Sequence, residues 1–217
     1  MLQLKIKDDL SAKLKILCLG AHSDDIEIGC GGTILRLREQ FPACELHWIV
    51  FSAEGIRQAE AVAASKLFGG DRLAQAPLIK SFPDGFLPFV GAEVKNTFEG
   101  LKQIGAPDLV FTHFRNDAHQ DHRLLSELTW NTFRDSFILE YEIPKYDGDL
   151  GRPNVFIPFS AEIADKKINH LLESFRSQQS KNWFEESTFR SLMRLRGMEC
   201  NSASGYAEGF YCRKVVL

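Results

Sequence analysis

Two short polar clusters contain the residue types that bind metal ions and move protons. The first is His22–Asp25, reading HSDD, and the second is Thr112–Arg123, reading THFRNDAHQDHR, which holds three of the six histidines in the chain. Imidazole and carboxylate groups are ligands of catalytic Zn²⁺ sites, where three protein ligands leave one position open for water or substrate. The two clusters therefore predict a hydrolytic metal site, provided that the fold brings them together.

Both clusters follow apolar runs that are typical of short buried strands. Leu14–Leu19 precedes the first cluster and Asp108–Phe111 leads into the second. Open α/β sheets place their ligands outside the carboxyl ends of the strands, so we expect the clusters to converge at one sheet edge. His119 and His122 are three residues apart and share a face if they lie on the first turn of a helix.

The rest of the chain alternates apolar runs with segments of helical period, which is the pattern of βαβ units. Strands are predicted at Lys15–Leu19, Glu45–Phe51, Ala74–Ile79, Leu109–Thr112, Phe137–Tyr141, Asn154–Phe159 and, at the sheet edge, Ala207–Val216. Helices are predicted at Thr33–Glu39, Arg57–Phe68, Val90–Ile104, Asp121–Phe133, Ile163–Gln178 and Glu185–Leu195. The prediction is a three-layer α/β sandwich with a mostly parallel central sheet, in one domain spanning residues 1–217.

Composition excludes several classes of partner. With 26 basic and 29 acidic residues the net charge is −3, so nothing favours nucleic acid or an anionic membrane surface. The five cysteines show no CxxC spacing, which indicates a reducing compartment. Residues 1–13 lack the apolar region of a signal peptide and no stretch is long enough to span a bilayer, so we expect a cytoplasmic protein. A homo-oligomer is compatible with the sequence.

The carboxylates also have a purely structural interpretation. Asp24 or Asp25 could cap the helix that follows the first cluster, and Asp121 could cap the helix that follows the second. Two clusters at equivalent strand ends, each with histidine and aspartate, favour the metal site over two unrelated helix caps.

A second interpretation comes from the glycine-rich segment Gly29–Gly32, which is predicted to be a turn before the first helix. Glycines after a first strand suggest phosphate binding, but the spacing does not give GxGxxG and no Walker lysine follows. The acidic residues ahead of the glycines would repel phosphate. The glycines are therefore expected to allow close backbone packing beneath a metal site.

These motifs carry a family resemblance. His22–Asp25, with Glu27 and Gly31–Thr33 after it, closely resembles the AHPDD signature of the PIG-L/LmbE-like deacetylases, and His119–His122 is similar to their HxDH motif. The likeness extends to three further places: Arg57 and Glu60 in an RxxE pattern, Ser177-Gln178, and Tyr206–Phe210. Serine at position 23 departs from the usual proline of the family, which affects the stiffness of the loop and leaves its chemistry intact.

The resemblance implies a Rossmann-like fold and a zinc-dependent hydrolase that removes the N-acetyl group from N-acetylglucosamine units. Matching the motifs makes three residues the metal ligands: His22, Asp25 and His122. It makes Asp24 the general base, and His119 the residue that steadies the oxyanion, with Asp121 orienting it. The two histidines and one carboxylate would also accept Fe²⁺ or another divalent ion.

The chemistry of amide hydrolysis fits these roles. An amide is a poor electrophile, so hydrolysis needs an activated water, charge stabilisation on the carbonyl oxygen and a proton for the leaving amine. Zn²⁺ lowers the pKa of bound water to about 7 and polarises the carbonyl. Asp24 can accept the water proton and deliver it to the amine. A protonated His119 next to Asp121 would supply a donor to the oxyanion.

Two further residues are candidates for binding the substrate. Arg57 is predicted on the same sheet edge and could contact sugar hydroxyls or a phosphate, or else pair with Glu54 or Glu60. Asp84, in the sequence SFPDGF, could contact a sugar or simply form a Pro-Asp-Gly turn. The expected substrate is an N-acetylated amino sugar, free, nucleotide-linked or in a glycoconjugate. The alternatives are an amidase acting on another N-acylated small molecule and a catalytically silent sugar-binding protein.

Overall fold

A computed structural model describes residues 6, 7, 9, 11 and 13–216. Its strands are β1 (Leu14–His22), β2 (Cys44–Ser52), β3 (Leu78–Ile79), β4 (Leu109–His113), β5 (Phe137–Tyr141), β6 (Val155–Phe159) and β7 (Tyr206–Tyr211). Its α-helices are α1 (Asp25–Gln40), α2 (Gly55–Gly69), α3 (Gly91–Leu101), α4 (Gln120–Thr132), α5 (Ala161–Ser174) and α6 (Glu186–Glu199). Every predicted strand and helix has a counterpart among these elements.

The seven strands form one sheet in the order β3-β2-β1-β4-β5-β7-β6. The first five are mutually parallel, while β7 runs antiparallel to both of its neighbours. Helices α1, α2, α5 and α6 pack on one face, and α3 and α4 on the other. The predicted three-layer α/β sandwich is confirmed. The edge position predicted for the last strand is wrong, because β7 lies between β5 and β6.

Alternate residues of β1 supply the two cores of the sandwich. Ile16 and Cys18 pack in the core beneath α1, whereas Leu17 and Leu19 pack in the core on the opposite face. All four side chains are fully buried. This explains why the strand reads as a continuous apolar run, since a central parallel strand buries both of its faces.

Helix α1 begins eight residues before the predicted start at Thr33, and the glycine-rich segment lies inside the helix. A Cβ atom at Gly29 would lie 2.2 Å from the ring of Tyr141, and one at Gly31 would lie 2.6 Å from the ring of Phe68. The glycines therefore allow close packing, as expected, but within a helix. The backbone is kinked at Cys30, where φ is −141° and ψ is 16°.

Other differences concern the ends of elements. The strand predicted to begin at Ala74 is reduced to the two residues of β3, and the helix predicted to end at Gln178 stops at Ser174 before a short 3₁₀ turn. Among the residues that the structure describes, no helix combines the length and apolar character needed to cross a bilayer. Most of residues 1–13, on which the expected lack of a signal peptide rests, lie outside the described residues.

Candidate metal centre

The carboxyl ends of the adjacent parallel strands β1 and β4 bring the two polar clusters together. His22 is the last residue of β1, Asp25 opens α1, and His122 lies in the first turn of α4. Nδ1 of His22 lies 3.2 Å from Nε2 of His122 and 3.3 Å from Oδ2 of Asp25, and the last two atoms are 3.6 Å apart. Three residues separated by up to 100 positions thus present one donor atom each to a common point.

This triangle fits a tetrahedral metal ion. Ligands held about 2.0–2.2 Å from a tetrahedral Zn²⁺ are separated from one another by roughly 3.3–3.6 Å. The three observed separations lie at or within about 0.1 Å of that range. All three residues are buried, and the set of two imidazoles with one carboxylate is chemically suitable for Zn²⁺ or Fe²⁺.

The ring nitrogens turned away from the triangle are held by carboxylates. Nδ1 of His122 lies 2.9 Å from Oδ2 of Asp117, and that same oxygen accepts a hydrogen bond from Nζ of Lys145 at 3.0 Å. A carboxylate on the far nitrogen fixes the tautomer and orientation of a metal-binding histidine and raises its basicity. Asp117 was given no role in the sequence analysis, although it lies in the second cluster five residues before His122.

Two carboxylates converge on the other nitrogen of His22. Its Nε2 lies 3.1 Å from Oδ1 of Asp84 and 3.2 Å from Oδ2 of Asp121. The carboxylate of Asp121 also accepts from the amides of Gly85 at 2.8 Å and Leu87 at 3.1 Å. Asp121 therefore holds the loop that carries Asp84, and its carboxylate does not cap α4.

The pKa values of the two carboxylates in the first cluster, Asp24 and Asp25, are shifted in opposite directions. Burial raises the pKa of Asp24, and the adjacent charge of Asp25 raises it further. Burial would also raise the pKa of Asp25, but the neighbouring His122, His113 and His22 bring it well below its usual range. Asp24 precedes α1 without making a side-chain cap, so the capping interpretation is not observed. The charged form is thus favoured at Asp25 more than at Asp24.

His119 occupies the N-cap position of α4, and its ring centroid lies 4.9 Å from that of His22. Burial lowers its pKa, and the neighbouring His122 and His22 rings lower it further, which favours the neutral ring over the expected protonated one. Nδ1 accepts from the amide of Asp121 at 3.3 Å, so the proton of the neutral ring lies on Nε2. The observed contact between these two residues is made by the Asp121 backbone.

His113 lies beside the triangle, with Nε2 3.2 Å from Oδ2 of Asp25. That nitrogen accepts a hydrogen bond from the amide of Ala21 at 2.9 Å, so its lone pair is already engaged. Its ring stacks on His122 with a centroid separation of 3.8 Å. His113 therefore packs against the ligands, and the set formed by His22, Asp25 and His122 remains the best supported.

Arg57, near the start of α2, links the remaining site residues. Its Nε donates to Oγ of Ser23 at 3.1 Å, Nη1 donates to Oδ2 of Asp84 at 2.8 Å, and Nη2 lies 3.7 Å from Oδ1 of Asp24. Glu60, considered above as a partner for Arg57, instead accepts from the amide and hydroxyl of Ser177. The structure thus brings all eight predicted site residues to one place: His22, Asp24, Asp25, Arg57, Asp84, His119, Asp121 and His122.

Comparison with known proteins agrees with this geometry. Residues 17–133, more than half of the chain and including both polar clusters, match the family described as PIG-L: GlcNAc-PI de-N-acetylase. The chain belongs to the PIG-L family. Within that family match, β1, α1 and the first turn of α4 carry the three residues of the triangle.

Solved structures resemble this PIG-L chain over nearly all of its length. The conserved protein TT1542 from Thermus thermophilus is 23% identical, with a TM-score of 0.76 over 94% of this chain and 96% of that chain. The N,N'-diacetylchitobiose deacetylase from Pyrococcus horikoshii is 21% identical, with a TM-score of 0.71 over 92% of this chain and 83% of that chain.

A protein with a different reaction also has this fold. GalB, the 4-carboxy-2-hydroxymuconate hydratase from Pseudomonas putida, is 19% identical, with a TM-score of 0.72 over 94% of this chain and 98% of that chain. These three likenesses show a shared fold. Since one fold supports more than one chemistry, the reaction of this PIG-L chain has to be argued from its site.

Proposed function

We propose that this protein is a metal-dependent de-N-acetylase that hydrolyses the N-acetyl group of an amino sugar, free, nucleotide-linked or within a glycoconjugate. The observation that carries the proposal is the triangle of His22 Nδ1, Asp25 Oδ2 and His122 Nε2, with Asp24 beside it, in a chain of the PIG-L family. His22, Asp25 and His122 would hold a divalent cation, Zn²⁺ or Fe²⁺, which when bound would polarise the amide carbonyl and acidify a water, to a pKa of about 7 in the case of Zn²⁺.

Asp24 is the proposed general base. Its carboxylate is adjacent to Asp25 in the chain, is 5% exposed as a residue and faces Arg57, which lies 3.7 Å away. Asp24 accepts the proton of the attacking water and then donates it to the amide nitrogen, so that the amine leaves neutral.

His119 is the proposed donor to the developing oxyanion. With Nδ1 accepting from the Asp121 amide, Nε2 carries the proton of the neutral ring and is free to donate it as a hydrogen bond. No protonation of the ring is required for this role. An interaction of this kind contributes about 10²–10³ in kcat in comparable sites.

Substrate binding is assigned to Arg57 and Asp84. The side chain of Asp84 is 54% exposed, against 26% for Arg57, so Asp84 is the more accessible partner for a sugar hydroxyl. Arg57 holds the carboxylate of Asp84 through Nη1 at 2.8 Å. Arg57 thus orients the exposed carboxylate of Asp84 beside the metal centre.

The test measures acetate release by the full chain, stripped with a chelator and reloaded with Zn²⁺ or Fe²⁺. The substrates are N-acetylglucosamine, its nucleotide conjugate and N,N'-diacetylchitobiose. We expect metal-dependent release and a fall of about 10²–10⁴ in kcat for Asp24→Asn with its metal content retained. The exposed Asp135→Asn is the matched control.

Two outcomes would contradict this proposal. A metal-loaded protein that releases acetate from none of these sugars, but cleaves another N-acylated small molecule, is a different amidase. One that binds the sugars without releasing acetate is the silent binding protein. An Asp24→Asn variant of full activity would remove the base assignment alone.

A further inference from the structure

The segment that leads into α4, residues 117–119, is organised by the carboxylate of Asp117. Its Oδ1 accepts from the amide of His119 at 2.7 Å, and its Oδ2 lies 2.9 Å from Nδ1 of His122. One buried carboxylate therefore fixes both the backbone of the residue assigned to the oxyanion and the ring of a residue in the metal triangle. A displacement of Asp117 would move both.

A second carboxylate reaches the same segment from the loop between β5 and β6. Oδ2 of Asp149 accepts from the amide of Ala118 at 2.7 Å. Nζ of Lys145 joins the two carboxylates, since it donates to Oδ2 of Asp149 at 2.6 Å and to Oδ2 of Asp117 at 3.0 Å. Its positive charge offsets the repulsion between them. Two consecutive amides are thus each bound to a carboxylate, and one ammonium group holds both carboxylates.

Burial shows that these contacts are built into the loop. The side chains of Lys145 and Asp149 are only 11% and 14% exposed, whereas the three residues between them are exposed. Lysine and aspartate are rarely buried unless they are paired. Hydrogen bonds in such a poorly solvated place are electrostatically stronger than those in water. The two ends of segment 145–149 therefore face inward and bind the backbone and side chain that precede α4.

Neither Lys145 nor Asp149 belongs to the metal triangle or to the residues assigned to the reaction. Their contacts reach the site only through segment 117–119. We infer that Lys145 and Asp149 are positioning residues, which hold this segment so that Nε2 of His119 is directed at the developing oxyanion. The inference rests on the proposed function. A displacement of about 1 Å in such a site can cost about 10²-fold in rate.

Positioning by Asp149 differs from the support that Asp117 gives to a metal ligand. Removing Asp149 leaves the charge of Asp117 next to His122, so the affinity for the metal should be retained. The oxyanion forms only in the transition state, so a misplaced His119 should lower kcat and leave KM nearly unchanged. A general loss of structure would instead weaken metal binding together with activity.

The test compares Asp149→Ala with Asp147→Ala, at an exposed carboxylate in the same loop. At saturating Zn²⁺ we expect Asp149→Ala to lower kcat for acetate release by about 10–100-fold, with KM and Zn²⁺ affinity each within about threefold. In a His119→Ala background the same change should cost less than about twofold, because residues that act through one interaction are not additive. Asp147→Ala should change none of these quantities.

Amide exchange tests the same positioning without using activity. In Asp149→Ala the amide hydrogens of Ala118 and His119 should exchange with solvent about tenfold faster or more, measured by NMR. Should this variant fold poorly, Lys145→Met provides a second one. It removes a positive charge near the metal centre, so kcat should fall while Zn²⁺ affinity does not.

Unchanged kcat in both variants overturns the inference, and so does an equally large loss of kcat in the His119→Ala background. Both outcomes leave the proposed function standing. A chain that releases no acetate overturns the proposed function. The exchange rates of the Ala118 and His119 amides then decide separately whether Lys145 and Asp149 hold the segment.

Discussion

The metal centre and the interior beneath helix α1 are both buried and highly charged, yet their charges are arranged in opposite ways. Under α1, Nζ of Lys167 donates to Oε1 of Glu208 at 2.6 Å and to the carbonyl of Ile28 at 2.6 Å. The two oxygens of Glu208 accept from the amides of Gly32 and Thr33 at 2.8 Å each. One cation meets one anion, and the remaining contacts are to the backbone.

The metal centre is not arranged as one cation opposite one anion. Two ring nitrogens and one carboxylate oxygen, from His22, His122 and Asp25, face one another at 3.2–3.6 Å. Facing acceptors repel unless a proton or a cation lies between them. Burial and charge therefore do not by themselves mark a functional site. What marks it is a set of potential ligand atoms from distant segments that meet at one point.

Glu208 is a motif residue whose buried charge has a structural role. It lies in Tyr206–Phe210, one of the segments in which the sequence resembles the deacetylase family. In the structure its carboxylate accepts from the amides of Gly32 and Thr33, which directly follow the kink of α1 at Cys30 and its neighbour Gly31. This motif therefore stabilises the helix that presents Asp25, and contributes no ligand to the metal triangle.

The largest expected effect tests whether the pair beneath α1 is purely structural. Lys167→Met should lower the free energy of unfolding by about 3–5 kcal/mol, because it leaves the buried carboxylate of Glu208 without its cation. Urea denaturation measures the free energy of unfolding of both proteins. Lys166→Met, at the exposed neighbouring position, should change stability by no more than about 0.5 kcal/mol. Loss of metal binding at unchanged stability would place the pair in the functional site and break the comparison.

An intermediate effect, on metal affinity, is expected from Asp117, which contacts His122 outside the triangle. Asp117→Asn removes the carboxylate charge 2.9 Å from Nδ1 of His122. Metal affinity should fall by about 10–100-fold, measured by competition with a chromophoric chelator. Asp135→Asn, an exposed carboxylate, serves as the control. Equal affinities in the two variants would show that Asp117 does not tune the ligand.

The smallest effect concerns the serine that replaces the usual proline of the family. Ser23→Ala removes the acceptor of the bond from Nε of Arg57, worth about 0.5–1.5 kcal/mol. Because Arg57 holds Asp84, we expect KM for the sugar to rise about two- to tenfold with kcat less affected. Ser65→Ala, which removes another fully buried serine hydroxyl, is the control. A fall in kcat alone would place Ser23 in the chemical step.

Much of the fold could be predicted from sequence because its signals are local. Apolar runs and segments of helical period located every strand and helix, with the largest errors at β3 and at the start of α1. The glycines of α1 misled the prediction because the rings of Tyr141 and Phe68, which require small residues there, are distant in sequence. The antiparallel insertion of β7 between β5 and β6 likewise depends on long-range pairing.

The sequence by itself determined the chemistry of the site: two His/Asp clusters, each at the end of a buried strand, in an order that resembles a known family. Only the tertiary structure decided that Nδ1 of His22 faces Asp25 and His122, that Asp117 contacts the other nitrogen of His122, and that the Asp121 carboxylate holds the loop carrying Asp84 instead of the ring of His119. The physical reason is that residue types and spacing follow from the chain. Which nitrogen faces which oxygen depends on how segments about 100 residues apart pack against each other.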